Sequence, residues 1–115
     1  MQELASLEEL DAVLGPAPGP VVIYKHSTQC GICDAAIEEV QAFEEKNPAA
    51  ATIYYLDLLA HREVSNAVAR KLGIRHESPQ AIVLRDGKAV AVLNHRAIRA
   101  DALVKAAAIS ATQNP

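Results

Sequence analysis

The chain has 115 residues, half of them hydrophobic, with an aromatic share of 3% and no tryptophan. That length suits a single domain over residues 1–115 whose core is filled by Ala, Val, Leu and Ile. A net charge of −3 argues against the clustered basic face of a nucleic-acid binder, and no run approaches the ~18 apolar residues of a membrane span.

In chain order, Leu4, Leu7, Leu10 and Leu14 recur at helical spacing and predict a short amphipathic helix over 3–14. Gly15-Pro16-Ala17-Pro18-Gly19-Pro20 stops it as a stiff connector. Val21 to Lys25 reads as a buried strand. Residues 31–46 read as a helix with Ala36, Ile37, Val40 and Phe43 on one face and Glu38, Glu39, Glu44, Glu45 and Lys46 on the solvated one, ended by Asn47-Pro48. Thr52 to Leu58 is a second strand, and Arg62 to Leu72 a helix closed by Gly73. Gln80 to Leu84 and Ala89 to Asn94 flank Asp86-Gly87, a hairpin signal. An Ala-rich helix over 99–111 ends the pattern.

The order α-β-α-β-α-β-β-α is that of a thioredoxin-like α/β domain, a four-stranded mixed sheet flanked by helices. The first two strands should run parallel through a right-handed crossover, and the hairpin adds two antiparallel strands. This arrangement predicts 21–25 and 80–84 in the centre of the sheet and 52–58 and 89–94 at its edges.

The only two cysteines stand three apart, as Cys30-Gly31-Ile32-Cys33, where a strand gives way to a helix. A helix N-terminus offers unpaired N–H groups and a positive dipole end, which favour a thiolate on the first sulfur. Cys30 is therefore the expected nucleophile and Cys33, one turn in, the resolving thiol. The same pair could instead be two buried small hydrophobes or half of a metal site. Zinc wants four ligands, and His26 offers only a third, so a zinc or iron–sulfur site would need another element or a second chain.

Ser78-Pro79 precedes the third strand, where a thioredoxin-like fold places a cis-proline loop facing the cysteines. Ser78 and Pro79 would then present backbone edges to an incoming peptide or thiol. His26, four residues before Cys30, would stabilise the thiolate or sit at the loop surface. His76, beside Arg75, would attract an anionic thiol or simply be solvated. His61 and His95 read as surface residues. Without a basic, apolar leader at Met1-Gln2-Glu3-Leu4, a cytoplasmic location is the expectation. In a reducing cytosol a lone CxxC points to catalysis or metal rather than to a structural disulfide.

Nearly the whole chain resembles the bacilliredoxins of YtxJ type, thioredoxin-like proteins linked to the small thiol bacillithiol. The resemblance rests on Tyr24-Lys25-His26-Ser27-Thr28-Gln29-Cys30, on Val64-Ser65-Asn66-Ala67 leading to Leu72-Gly73-Ile74, on His76-Glu77-Ser78-Pro79-Gln80, and on Asp86-Gly87-Lys88 with Asn94-His95. It implies reduction of mixed disulfides between protein cysteines and bacillithiol, with Cys30 taking the small thiol and Thr28 joining the substrate contacts. It implies no bound cofactor: bacillithiol or another small thiol is a co-substrate. Many members carry Cys-Pro-Ile-Ser where this chain has Cys30-Gly31-Ile32-Cys33, so a dithiol cycle is open here. Tyr24 stands where thioredoxins keep a buried acidic proton acceptor, which leaves that role unfilled.

The leading expectation is thus a thiol–disulfide oxidoreductase acting on thiolated or disulfide-bearing proteins, recharged by a reductase or a small-thiol reductant. The alternatives are a metal- or iron–sulfur-binding module, possibly across a dimer, and a redox-sensing adaptor.

Overall fold

A computed structural model describes residues 1–109. Its elements are β1 (Gln2–Glu3), α1 (Leu7–Val13), β2 (Val21–His26), α2 (Gly31–Lys46), β3 (Thr52–Asp57), α3 (Arg62–Leu72), β4 (Gln80–Arg85), β5 (Lys88–Asn94), a 3-10 turn (His95–Ala97) and α4 (Ala100–Ala107). They form one mixed sheet in the order β1-β3-β2-β4-β5. β1 and β2 each pair parallel with β3, while β4 pairs antiparallel with β2 and with β5.

The sheet has five strands rather than the expected four. Gln2 and Glu3 pair with Tyr54 and Tyr55, so β1 takes part of the edge expected for residues 52–58. Two residues carry no readable alternation; the free backbone of β3 recruits them. The first helix accordingly begins at Leu7, not at residue 3. Ser6 caps it, its hydroxyl accepting from the Glu9 N–H at 3.1 Å, while the Glu9 carboxylate accepts from the Ala5 N–H. Leu4 still reaches the core, but from the strand connection. β2 and β4 are central as expected, and β5 holds the other edge. The last helix spans Ala100–Ala107 within the expected 99–111; positions 110 and 111 lie outside the described residues. The 3-10 turn before it had no periodic signature.

Both faces of the sheet are covered. On one face Val22, Tyr24, Ala81 and Val83 meet Ala36, Val40 and Phe43 of α2 and Leu103, Ala106 and Ala107 of α4. On the other, Val21, Ile23, Ile82 and Leu84 meet Leu10 and Val13 of α1 and Val64, Ala67 and Val68 of α3. The helix residues recur at three- and four-residue intervals, which puts them on one stripe. Full burial of each large apolar side chain contributes roughly 1.5–3 kcal/mol.

The β4–β5 turn is built on Asp86 (φ 49) and Gly87 (φ 77), the two positive angles of a tight hairpin that follows the sheet's twist. Gly87 also lies against the Leu14 carbonyl, so closely that a Cβ there would collide with it. This turn therefore docks on the end of α1.

Candidate active site

β2 ends at His26, and Ser27-Thr28-Gln29 turns the chain into α2. The Ser27 hydroxyl accepts from the Gln29 N–H at 3.3 Å and its carbonyl from the Cys30 N–H at 3.3 Å. Cys30 is the N-cap residue of α2, extended (φ −120, ψ 118) and half-exposed, with Cys33 one turn in and fully buried. Both are free thiols.

Their surroundings push the two thiols in opposite directions. Cys30 is held below the ordinary thiol value, first by a hydrogen bond from the Cys33 side chain and then by the backbone N–H groups of Cys33 and Ile32, which point out of the helix start. Cys33 is pushed up, chiefly by burial. The outer sulfur is thus the more readily ionised of the two and the inner one the less.

The Ser78–Pro79 peptide bond is cis. It places the Ser78 hydroxyl 3.6 Å from the Cys33 sulfur, so its hydrogen bond reaches the inner thiol, Cys33. Pro79 is buried behind it, and its carbonyl accepts from the His95 N–H at 2.9 Å, tying this loop to the 3-10 turn.

The histidines separate. His26, only 5% exposed, is neither a loop-surface residue nor hydrogen-bonded to a cysteine: its Nδ1 lies 2.9 Å from the Tyr24 hydroxyl. Burial lowers its basicity, with Asp34 and Asp57 partly opposing this. His76 is exposed, yet its Nδ1 lies 3.1 Å from the Nζ of Lys25. His95 pairs with Glu77 at 3.1 Å and His61 with Glu3 at 3.6 Å. Thr28 is exposed beside Cys30 in sequence and makes no side-chain hydrogen bond among the described residues.

Two residues not singled out as site candidates complete the polar framework. The Tyr24 hydroxyl donates to the Cys33 carbonyl at 3.4 Å, beneath the cysteines. Lys25 is wholly buried on the opposite face, where its ammonium donates to the Ser65 carbonyl at 3.1 Å and to His76. Burial lowers its pKa to about 8. The signal was present in the sequence: a lysine ending a strand read as buried, if it is itself buried, has to find partners inside.

Beside Ile32, a groove of about 350 Å³ runs between α2 and the 3-10 turn, lined by Ile32, Ala35, Glu38, His95, Arg96 and Arg99 among others. Ile32 is 40% exposed at its head. Among the described residues no three His, Cys, Asp or Glu side chains converge as metal ligands, and no helix is long and apolar enough to cross a membrane. A site shared with a second chain would therefore take at most two ligands from this cysteine pair and its neighbours.

A mixed sheet with a CxxC at the start of α2 and a cis-proline loop against it defines a thioredoxin-fold thiol–disulfide redox protein. Solved structures agree on the fold. A thioredoxin-fold protein proposed to be an oxidoreductase superimposes with a TM-score of 0.83 at 28% identity, over 91% of each chain. Mitochondrial thioredoxin 3 from Saccharomyces cerevisiae matches at 0.72 and 17% identity over 93% of this chain and 92% of its own. A thioredoxin variant from Halobacterium salinarum matches at 0.70 and 22% identity, over 92% and 86%. The model of the monothiol bacilliredoxin BrxC family matches residues 2–103, and the chain belongs to that family. Against the family's description as monothiol, this member carries a second cysteine at position 33.

Proposed function

We propose that this protein removes small-thiol adducts of the bacillithiol kind from protein cysteines, through a cycle that uses both of its own. The Cys30 thiolate attacks the sulfur of the small thiol in a protein–S–S–R mixed disulfide. The protein thiolate leaves, and Cys30–S–S–R forms. Cys33 then gives up its proton and attacks the Cys30 sulfur; a Cys30–Cys33 disulfide forms and RS⁻ leaves. A dithiol reductase or two small thiols return the two electrons. Without Cys33, a second small thiol would have to resolve Cys30–S–S–R, which is the monothiol route named for the family.

The observation that carries this reading is the contrast between a half-exposed Cys30 at the start of α2, its thiol shifted down, and a buried Cys33 under Ser78, its thiol shifted up. A low thiol pKa suits attack, and a buried neighbour suits intramolecular resolution. The groove beside Ile32, lined by Arg96 and Arg99 as well as by Glu38 and Glu39, is where the small thiol would lie, with Ser78 and the exposed Thr28 on the side of the polypeptide. The chemistry needs no bound cofactor and suits a reducing compartment such as the cytoplasm.

The test is incubation of the Cys33→Ser variant with a bacillithiolated protein and, separately, with an ordinary protein disulfide, followed by mass spectrometry. A bacillithiol adduct on Cys30 supports the small-thiol reading. Adducts only with the protein disulfide would make the chain thioredoxin-like in its substrate choice, and no adduct at all would sink the enzyme reading.

A further inference from the structure

Resolution puts a negative charge on Cys33, whose side chain has no surface open to water. Burial is the first cause that pushes this thiol up. The Ser27 backbone N–H, in the loop before α2, and the Ser78 hydroxyl, in the loop before β4, pull it back down. Cys30 pushes it up again, as acceptor of the Cys33 hydrogen bond and through its own charge. Both of those effects need an ionised Cys30. Once Cys30 is tied up in a mixed disulfide they end, and burial faces the two donors alone.

The Ser78 hydroxyl lies 3.6 Å from the Cys33 sulfur, its one side-chain partner among the described residues. The chain on either side of it is pinned to the scaffold. Gln80 Nε2 donates to the Arg75 carbonyl at 3.0 Å and to Asn94 Oδ1 at 3.0 Å. His76 Nδ1 accepts from Lys25 at 3.1 Å, Glu77 meets His95 Nε2 at 3.1 Å, and the Pro79 carbonyl accepts from the His95 N–H at 2.9 Å. These contacts hold residues 75–80 to β2, β5 and the 3-10 turn, with the Ser78 hydroxyl left facing Cys33. A donor fixed in place before the charge appears costs no reorganisation when it does.

We propose that the Ser78 hydroxyl is the donor that receives the Cys33 thiolate during resolution, and that it thereby sets the share of adduct cleared by Cys33 rather than by a second small thiol. The Cys33 proton goes to solvent as the thiolate forms, and the serine keeps its own. The thiolate electron pair bonds to the Cys30 sulfur, the Cys30–SR bond breaks, and its pair leaves on RS⁻. The phenols that feel the Cys33 charge, Tyr24 on β2 and Tyr55 on β3, are pushed above their ordinary values chiefly by burial and so stay neutral at this step. The charge of Asp34 on α2 bears on Cys30 instead.

The role of Ser78 rests on Cys33 as resolver, and two measurements tell the two apart. In a Cys30→Ser background the ionisation of Cys33 is followed by the NMR shift of its Cβ carbon. Adding Ser78→Ala should move the titration midpoint up, equivalent to ~10-fold less thiolate at pH 7, and Ser78→Thr, which keeps the hydroxyl, should bring it back. The second measurement is stopped-flow mixing of the reduced protein, with both cysteines present, with 5,5′-dithiobis(2-nitrobenzoate). Attack by Cys30 releases one thionitrobenzoate and resolution by Cys33 the other. Nucleophilicity rises with thiol pKa along a Brønsted slope of about 0.4–0.5, which returns roughly half of the lost ionisation on a logarithmic scale. The second phase should therefore slow by about threefold in Ser78→Ala at pH 7 and recover in Ser78→Thr.

A Cys33 titration that Ser78→Ala leaves in place overturns the proposal. So does a second phase slowed equally by alanine and threonine, the mark of a disturbed loop rather than a lost donor. Release of one chromophore only, by the wild type, would overturn the resolving role of Cys33 itself and the two-cysteine cycle with it.

Discussion

β2 sends its polar residues to opposite sides of the sheet, and the two sides use them differently. Tyr24 and His26 point under α2, where their hydrogen bonds end on each other and on the Cys33 backbone. Lys25 points under α3, where its ammonium braces Ser65 of the helix and His76 of the loop leading to the cis-proline. The first side lies directly beneath the cysteines. The second holds a buried ammonium that has no carboxylate partner among the described residues and pins the loop from behind. A single alternation along one strand thus divides chemistry from support.

This division can be broken by substitution. Cys30→Ser, on the chemical side, should lower disulfide exchange by at least ~10³-fold to the background rate, since a serine hydroxyl is un-ionised at neutral pH; the unfolding free energy from urea titration should barely change, because the side chain is half-exposed. Gly87→Ala lies on the supporting side. It forces a positive φ on alanine and drives a Cβ into the Leu14 carbonyl, so it should cost about 1–3 kcal/mol in urea unfolding and leave thionitrobenzoate release by Cys30 within twofold.

Lys25→Met sharpens the comparison through pH. The folded lysine titrates at about 8 rather than 10.5 because it is buried. Below pH 8 both folded and unfolded states are protonated, and the folded state bears the whole cost of the buried charge. Between about 8 and 10.5 only the unfolded chain keeps the proton, so stability rises with pH. The lowering is equivalent to ~3 kcal/mol, set against two hydrogen bonds of ~1 kcal/mol each. Lys25→Met should therefore be more stable than the wild type by ~1 kcal/mol at pH 7, with the advantage vanishing or reversing by pH 10.5. A Met variant less stable at pH 7 would mean that Lys25 is better solvated or bonded than its burial implies. Ser78→Ala should have the smallest effect: loss of the weak bond to the Cys33 sulfur leaves that thiol higher still and should slow resolution about threefold or less.

Much of this molecule was legible in one dimension. The residue ranges of α2 and α3 follow from an apolar stripe closed by Asn47-Pro48 and by Gly73, a residue at φ 65. The hairpin follows from Asp86-Gly87, and the cysteine pair from its place between a strand and a helix. His26 was legible as a residue but not as a partner: its neighbours Tyr24 and Tyr55 come from two strands, and only their pairing in parallel register brings the rings together. Arg96 lies in a 3-10 turn, which has no period to read, and Arg99 caps the last helix; only the fold brings both beside Ile32.

The sequence alone therefore determined three of the helices and four of the strands, the singling out of Cys30 and Cys33, and the likeness to bacilliredoxins, because each depends on contacts within a few residues or on local turn chemistry. Tertiary structure alone decided the fifth strand, the burial of Lys25, and the upward shift that burial gives the Cys33 thiol. Those depend on what lies across the sheet and how much water it excludes, and neither is written into the spacing of residues along the chain.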